Sequence, residues 1–143
     1  MSLKHGVVMV GKIAHLGIAV KDLAAVGHFY GRCLGLPVSE EDENDQLKWL
    51  FVPMGETSLE FIQSKEEATP IARFIEKRGE GIHHVALEVE DIEELIRSLK
   101  ARGIPLIDEK PRPGAHNSLI AFIHPKATHG SMIELLEKSH HDE

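Results

Sequence analysis

Two segments of the chain repeat one pattern of apolar and polar positions. "KIAHLGIAVKDL" spans Lys12–Leu23 and "GIHHVALEVEDI" spans Gly81–Ile92, which puts His15 and His84 at matching places. After each histidine, branched apolar residues alternate with small or polar ones. Side chains alternate between the two faces of a strand, so each segment is predicted to be a strand with one branched face for a core. The histidine face carries small neighbours, as the wall of a cavity would.

A helix is predicted after each of these strands. Asp22 and Asp91 are credible N-caps, and Gly35 and Gly103 are the corresponding stops. The first helix has an apolar stripe at helical spacing that includes Cys33, which we expect to be a buried structural thiol. The residues of the two stripes are Leu23, Val26, Phe29, Tyr30 and Cys33 in the first copy, and Ile92, Leu95, Ile96 and Leu99 in the second.

Three further strands are predicted in each half. "LPVSEE" corresponds to "IPLIDE", and "LKWLFVPMGETSLEFIQ" corresponds to "SLIAFIHPKATHGSMIELLE", which reads as a strand, a hairpin and a second strand. The predicted fold is therefore α+β, with two βαβββ modules related by pseudo-twofold symmetry around a central cavity. Module one covers residues 12–64, a connecting helix 69–79 and module two 81–137, all within a single domain, 12–137, with terminal extensions 1–11 and 138–143.

Composition excludes several classes of partner. A formal net charge of −7 argues against a nucleic-acid partner, which normally requires a basic face. The apolar runs fall far short of the roughly 20 residues of a membrane helix, and the first residues do not resemble a signal peptide. A single cysteine fits a reducing compartment. We therefore expect a cytoplasmic protein that binds neither nucleic acid nor membranes.

Two glutamates complete the candidate chemistry. Glu60 in "SLEFI" and Glu134 in "MIELL" each lie between apolar positions of a final strand. For one strand alone, such a glutamate more often faces solvent, and a lone histidine is more often structural than a ligand. Because both pairs occupy matching places, the repeat predicts that His15, Glu60, His84 and Glu134 converge. Two imidazoles and two carboxylates suit one divalent metal ion and balance its charge.

The motifs resemble the vicinal oxygen chelate superfamily, which includes glyoxalases, bleomycin-resistance proteins and extradiol dioxygenases. Within it, "FIEKRGEGIHHVALEVEDIEEL", "LIDEKPRPGAHNS" and "AFIHPKATHGSMIELLE" resemble the methylmalonyl-CoA epimerases. The similarity runs from about Lys12 to Glu137. It implies a metal-dependent epimerisation through a metal-stabilised enolate, with His15, Glu60, His84 and Glu134 as ligands. It also implies an acyl-CoA substrate and a homodimer.

The resemblance suggests acid and base groups less directly. Glu134 and Glu60 are the candidates for proton transfer, although some epimerases have glutamine at the place of Glu60. One epimerase pattern has a further glutamate in the third strand, which serves as a base. When the sequences are aligned through Pro53, Lys48 occupies that position in this chain. Near the substrate we expect His116, Arg112 and Lys110, or the cluster Arg73, Lys77 and Arg78. We expect His83 to be structural, because it should point to the strand face opposite His84.

Other functions fit the same scaffold. Metal-dependent glyoxalase I enzymes also have a glutamate ligand at the place of Glu60. An isomerase acting on a glutathione hemithioacetal is therefore the main alternative. A metal-free binding protein would not need the four ligands, and a dioxygenase would use two histidines and one carboxylate. The metal could be cobalt, manganese, magnesium, nickel or zinc, one ion per chain.

Overall fold

The computed structural model describes residues 10–139, so most of the two predicted terminal extensions lies outside the described residues. Along the chain the main elements are β1 (Val10–Ala19), α1 (Leu23–Val26), β2 (Asp42–Glu43), β3 (Leu47–Met54), β4 (Thr57–Ser64), α2 (Pro70–Arg78), β5 (Gly81–Val89), α3 (Ile92–Ala101), β6 (Arg112–Pro113), β7 (Leu119–Ile123) and β8 (Ile133–Glu137). Each half therefore has the predicted order of one strand, one helix and three strands. The chain divides into two compact units, His15–His84 and the remaining described residues, 10–14 and 85–139.

In the unit His15–His84, the strands lie in the order β2-β3-β4-β1. β4 pairs in parallel with β1 and antiparallel with β3. One face of this sheet packs on α1 through a core that includes Leu23, Leu50 and Phe61. The other face carries a second cluster around Ile62 and Ile71, where α2 packs. Both faces are therefore covered, which explains why β4 is buried on both sides.

The other unit repeats this arrangement with β5-β8-β7-β6. β8 pairs in parallel with β5 and antiparallel with β7. Here α3 covers one sheet face, and Ile92, Ile96 and Leu135 form its core. The predicted branched face of the histidine-led strand is confirmed at Val89, which belongs to the same core.

The predicted helix caps are confirmed. The carboxylate of Asp22 accepts a hydrogen bond from the amide N–H of Ala24. The carboxylate of Asp91 accepts one from the amide N–H of Glu94. Thr69 caps α2 by accepting from the amide of Ala72, and Pro70 occupies the first helical turn. Caps depend on neighbouring residues alone, so the local sequence suffices to predict them.

The first helix differs from its predicted form. After Val26 it widens into a π-helix over Gly27–Cys33, and the amide of Leu34 donates to the carbonyl of Phe29, five residues back. This wider turn rotates the later side chains away from the predicted stripe. Phe29 and Cys33 are exposed, so the prediction that Cys33 is buried is wrong.

The first of the three later strands was also misplaced in each half. Residues 36–41 and 104–109 form no strand, although Leu106 makes an isolated bridge to Ile123. The strands lie further along, at β2 and β6. Pro37 and Pro105 lack the amide hydrogen that a strand needs for its ladder of hydrogen bonds. These two stretches therefore make only isolated backbone hydrogen bonds. One is the bond from Ser39 N to the carbonyl of Phe51, at 2.8 Å.

None of the helices in residues 10–139 is both long and apolar enough to cross a membrane.

Candidate metal centre

Strands β1 and β4 bring His15 and Glu60 together. In their parallel register Gly17 pairs with Glu60, and Gly17 shares a strand face with His15. The Nε2 atom of His15 lies 3.2 Å from Oε1 of Glu60. His15 is 8% and Glu60 9% exposed. Glu60 is thus a buried carboxylate beside an imidazole, and not the solvent-facing residue that is usual between two apolar positions.

Strand β3 supplies an apolar wall on this face. Phe51 pairs directly with Glu60, and its ring centroid lies 6.3 Å from that of His15 in an edge arrangement. By strand alternation Trp49 shares this face, whereas Lys48 shares the opposite one with Leu50. The Nζ atom of Lys48 lies 4.0 Å from Oε1 of Glu41. The sequence alignment suggested Lys48 at the place of a catalytic glutamate, but its side chain belongs to the other face of the sheet.

His84 completes a cluster within the unit His15–His84. Its Nε2 atom is 3.2 Å from Nε2 of His15, and His84 is 5% exposed. Gly17 makes room for the ring: a Cβ atom there would come within 2.0 Å of Cε1 of His84. His15 therefore lies between a second imidazole and a carboxylate, in a buried setting.

The distances suit a metal ion. Ligand nitrogens about 2.1 Å from one ion are about 3.0 Å apart at a right angle and about 3.4 Å apart at the tetrahedral angle. Both contacts of His15, at 3.2 Å, fall between these limits. Imidazole and carboxylate donors favour a borderline or hard divalent cation. The residues present therefore fit the metal that the sequence predicted.

Glu134 occupies the matching place in the other unit. It is 4% exposed and pairs with Ala86 on β5 and with Phe122 on β7. Glu60 likewise pairs with the residue two positions after a histidine, Gly17, and with a phenylalanine, Phe51. Both glutamates are buried, in the same register, with the same kind of neighbour on the adjoining strand. Burying a carboxylate is costly, and this burial recurs at the matching position of each unit.

The predicted substrate contacts lie on exposed segments. Arg112 is exposed, but its Nε donates to Asp108 at 3.1 Å and its guanidinium lies 5.5 Å from the ring centroid of Phe122. Because Phe122 pairs with Glu134, this cation is held beside a strand that carries a candidate ligand. Lys110 is an exposed loop residue.

His116 lies in an unusual backbone segment. It has φ 55°, and the next residue, Asn117, has φ 59°. Two consecutive left-handed residues without a glycine are costly and are most often kept at functional positions. The alternative cationic cluster, Arg73, Lys77 and Arg78, lies exposed on α2.

His83 makes a contact with His84 that strand alternation did not predict. Its Nδ1 atom lies 2.9 Å from Nδ1 of His84, although neighbouring residues in a regular strand face opposite ways. Two adjacent histidines in the sequence are the only signal that could have suggested this pair.

Comparison with known proteins decides the family. The profile of the "Glyoxalase/Bleomycin resistance protein/Dioxygenase superfamily" matches residues 14–122. The chain belongs to this superfamily. The resemblance that the motifs suggested is therefore confirmed.

Relatives and solved structures narrow the resemblance to epimerases. The chain is 37% identical to an ethylmalonyl-CoA/methylmalonyl-CoA epimerase of Cereibacter sphaeroides, over 89% of this chain and 98% of that protein. The crystal structure of methylmalonyl-CoA epimerase from Mycobacterium tuberculosis has 36% identity and a TM-score of 0.84, covering 91% of this chain and 89% of that one. A methylmalonyl-CoA epimerase in complex with methylmalonyl-CoA and NH4+ has 27% identity and a TM-score of 0.86, covering 92% and 97%. The predicted fold class and the predicted enzyme class, an isomerase of the epimerase type, are confirmed.

Proposed function

We propose that this protein is a metal-dependent epimerase of methylmalonyl-CoA. The observation that supports the proposal most strongly is the pair of buried glutamates in matching registers, one of them beside the imidazole of His15, in a chain whose relatives are named methylmalonyl-CoA epimerase. The proposed ligands are His15, Glu60, His84 and Glu134. A cytoplasmic location and a homodimer stay predictions.

The reaction inverts the carbon between a carboxylate and a thioester. The hydrogen on that carbon is weakly acidic, so negative charge accumulates on the substrate when it leaves. His15, Glu60, His84 and Glu134 would hold a divalent ion, which would supply Lewis-acid stabilisation for that charge. The apolar wall of Trp49 and Phe51 beside Glu60 limits access of water, which strengthens electrostatic interactions there.

Inversion requires a proton to leave one face of the carbon and another to arrive on the opposite face. We assign these two transfers to Glu134 and Glu60, each as base for one epimer and as acid for the other. Neither Trp49 nor Phe51 on the adjoining strand can transfer a proton, and Lys48 is on the opposite sheet face. Among the side chains that β3 and β4 place on this sheet face, Glu60 is the ionisable one.

Single substitutions of the two glutamates test this assignment. With one base missing, the remaining base still exchanges the hydrogen of one epimer with solvent, but inversion is blocked. We expect E60Q and E134Q each to lower the rate of inversion by about 10²–10⁴-fold. We also expect each to retain deuterium exchange for a different epimer. Each purified epimer is incubated in D2O, and exchange and inversion are followed by NMR.

Metal affinity is measured in parallel, because both residues are also proposed ligands. If E60Q keeps its metal and inverts the substrate at the wild-type rate, Glu60 is not the second base. The metal requirement is tested by chelation followed by addition of single divalent ions.

A glutathione-dependent isomerase is the second candidate, because the carboxylate at position 60 is also the residue of metal-dependent glyoxalase I enzymes. The same metal-loaded protein is therefore assayed with methylglyoxal and glutathione. Turnover of that hemithioacetal without exchange into methylmalonyl-CoA would overturn the epimerase assignment.

A further inference from the structure

The pair His83–His84 shows contact between a candidate ligand and its chain neighbour. The two Nδ1 atoms are 2.9 Å apart, and the two rings meet edge to face with centroids 5.2 Å apart. The opposite nitrogen of His84, Nε2, faces His15. Each nitrogen of the His84 ring is thus committed to a different neighbour.

This arrangement constrains the proton on His84. A contact of 2.9 Å between two ring nitrogens requires one hydrogen between them. If His84 supplies it from Nδ1, its Nε2 carries a free lone pair and can bind a metal. If His83 supplies it, a neutral His84 carries its hydrogen on Nε2 and cannot. Partners of this kind commonly fix the tautomer and the orientation of metal-binding histidines.

The ring of His83 is itself held in place. It meets the ring of Phe74 edge to face, with centroids 5.1 Å apart and an interplanar angle of 82°. Phe74 belongs to α2, which is capped by Thr69 and packs into the core through Ile71. α2 can therefore fix the position of His83, which in turn contacts His84.

We propose that His83 is a positioning residue for the metal centre: its Nδ1 accepts a hydrogen bond from Nδ1–H of His84 and so keeps Nε2 of His84 unprotonated and directed at the metal. This inference rests on the metal site of the proposed function. It assigns His83 no contact with substrate.

Two substitutions separate the hydrogen bond from ring packing. H83F keeps an aromatic ring against Phe74 but removes the acceptor. H83N places an amide oxygen near the position of Nδ1 and can accept from His84, but it loses the ring contact. Circular dichroism and thermal unfolding of the full-length variants verify that both fold.

The first readout is the affinity for Co2+ alone, measured by competition with a chelator and by the visible spectrum of the bound ion. We expect the Kd to rise about 10–100-fold in H83F. We expect H83N to stay within about 3-fold of the wild type. Wild-type affinity in H83F, or equal losses in the two variants, would overturn the proposal.

The second readout is the tautomer of His84 in the metal-free protein, from 15N chemical shifts of its ring nitrogens. We expect the wild type and H83N to hold the hydrogen on Nδ1, and H83F to show a mixture. A hydrogen on Nε2 in the wild type contradicts the proposal. If the wild-type protein binds no Co2+, the metal in the proposed function fails, while the tautomer still decides the role of His83.

Discussion

At the scale of single residues, Gly17 shows how closely the candidate centre is packed. The ring of His84 occupies the space where any other residue would place its Cβ, at 2.0 Å from Cε1. The same glycine pairs with Glu60 across β1 and β4. A residue without a ligand atom therefore leaves the space that one candidate ligand fills, and it lies opposite a second candidate ligand in the strand register.

We predict that Gly17→Ala weakens metal binding. The added methyl group must displace the His84 ring, so we expect the Kd for Co2+ to rise at least about 10-fold, within the range seen when support for a metal ligand is lost. The measurement is the same chelator competition.

Gly11→Ala is the matched control on the same strand. A Cβ at Gly11 would meet the carbonyl oxygen of Glu88 at 3.7 Å, which is ordinary contact. We expect this variant to bind Co2+ as the wild type does. Equal affinity in the two variants would show that the position of the His84 ring does not matter for binding.

At the scale of elements, α2 links the core of its unit to the candidate centre. Thr69 is buried and has two roles, since its hydroxyl oxygen accepts from the amide of Ala72 at 3.0 Å and shares a 2.6 Å hydrogen bond with Ser64. Ile71 lies in the core cluster, and Phe74 contacts His83. The first turn of this helix therefore fixes its position against the sheet.

We predict that Thr69→Ala lowers the free energy of unfolding by about 1–2 kcal/mol, because it removes an N-cap and leaves the half-buried Ser64 hydroxyl without this partner. Thr69→Ser keeps the hydroxyl and should lose less than half as much. Urea denaturation with a constant slope measures both changes. Equal losses in the two variants would point to the methyl group of Thr69 and not to the cap.

The elements also show where local sequence is sufficient for prediction. The caps at Asp22, Thr69 and Asp91 and the connecting helix follow from neighbouring residues, and they were predicted correctly. The π-helical turn after Val26 was not, because an apolar stripe at α-helical spacing carries no signal for an added residue per turn.

At the scale of the whole molecule, bound metal should stabilise the fold. A ligand that binds only the native state adds about 2.7 kcal/mol at 100 times its Kd. For a chain of this size we expect Tm to rise by roughly 8 °C when Co2+ is added at that excess. Differential scanning calorimetry of the chelated and the reloaded protein measures the change.

The control for this prediction is the double variant H15A/H84A, which lacks both imidazoles. Its Tm should not change on adding Co2+. A similar rise in the double variant would mean that the ion binds elsewhere on the protein.

The amino-acid sequence by itself determined the repeat, the order of strands and helices in each half, the caps and the four candidate ligands, because these depend on periodicity and on residue type at fixed spacing. Tertiary structure decided what periodicity leaves open. Alternation in "SLEFI" and "MIELL" is the same for a solvent-facing and a buried glutamate, and only tertiary packing buried Glu60 and Glu134. Register between strands placed Lys48 on the other sheet face, and tertiary packing brought the ring of His83 against both Phe74 and His84. Contacts between residues far apart in the chain depend on how elements pack, which no local pattern specifies.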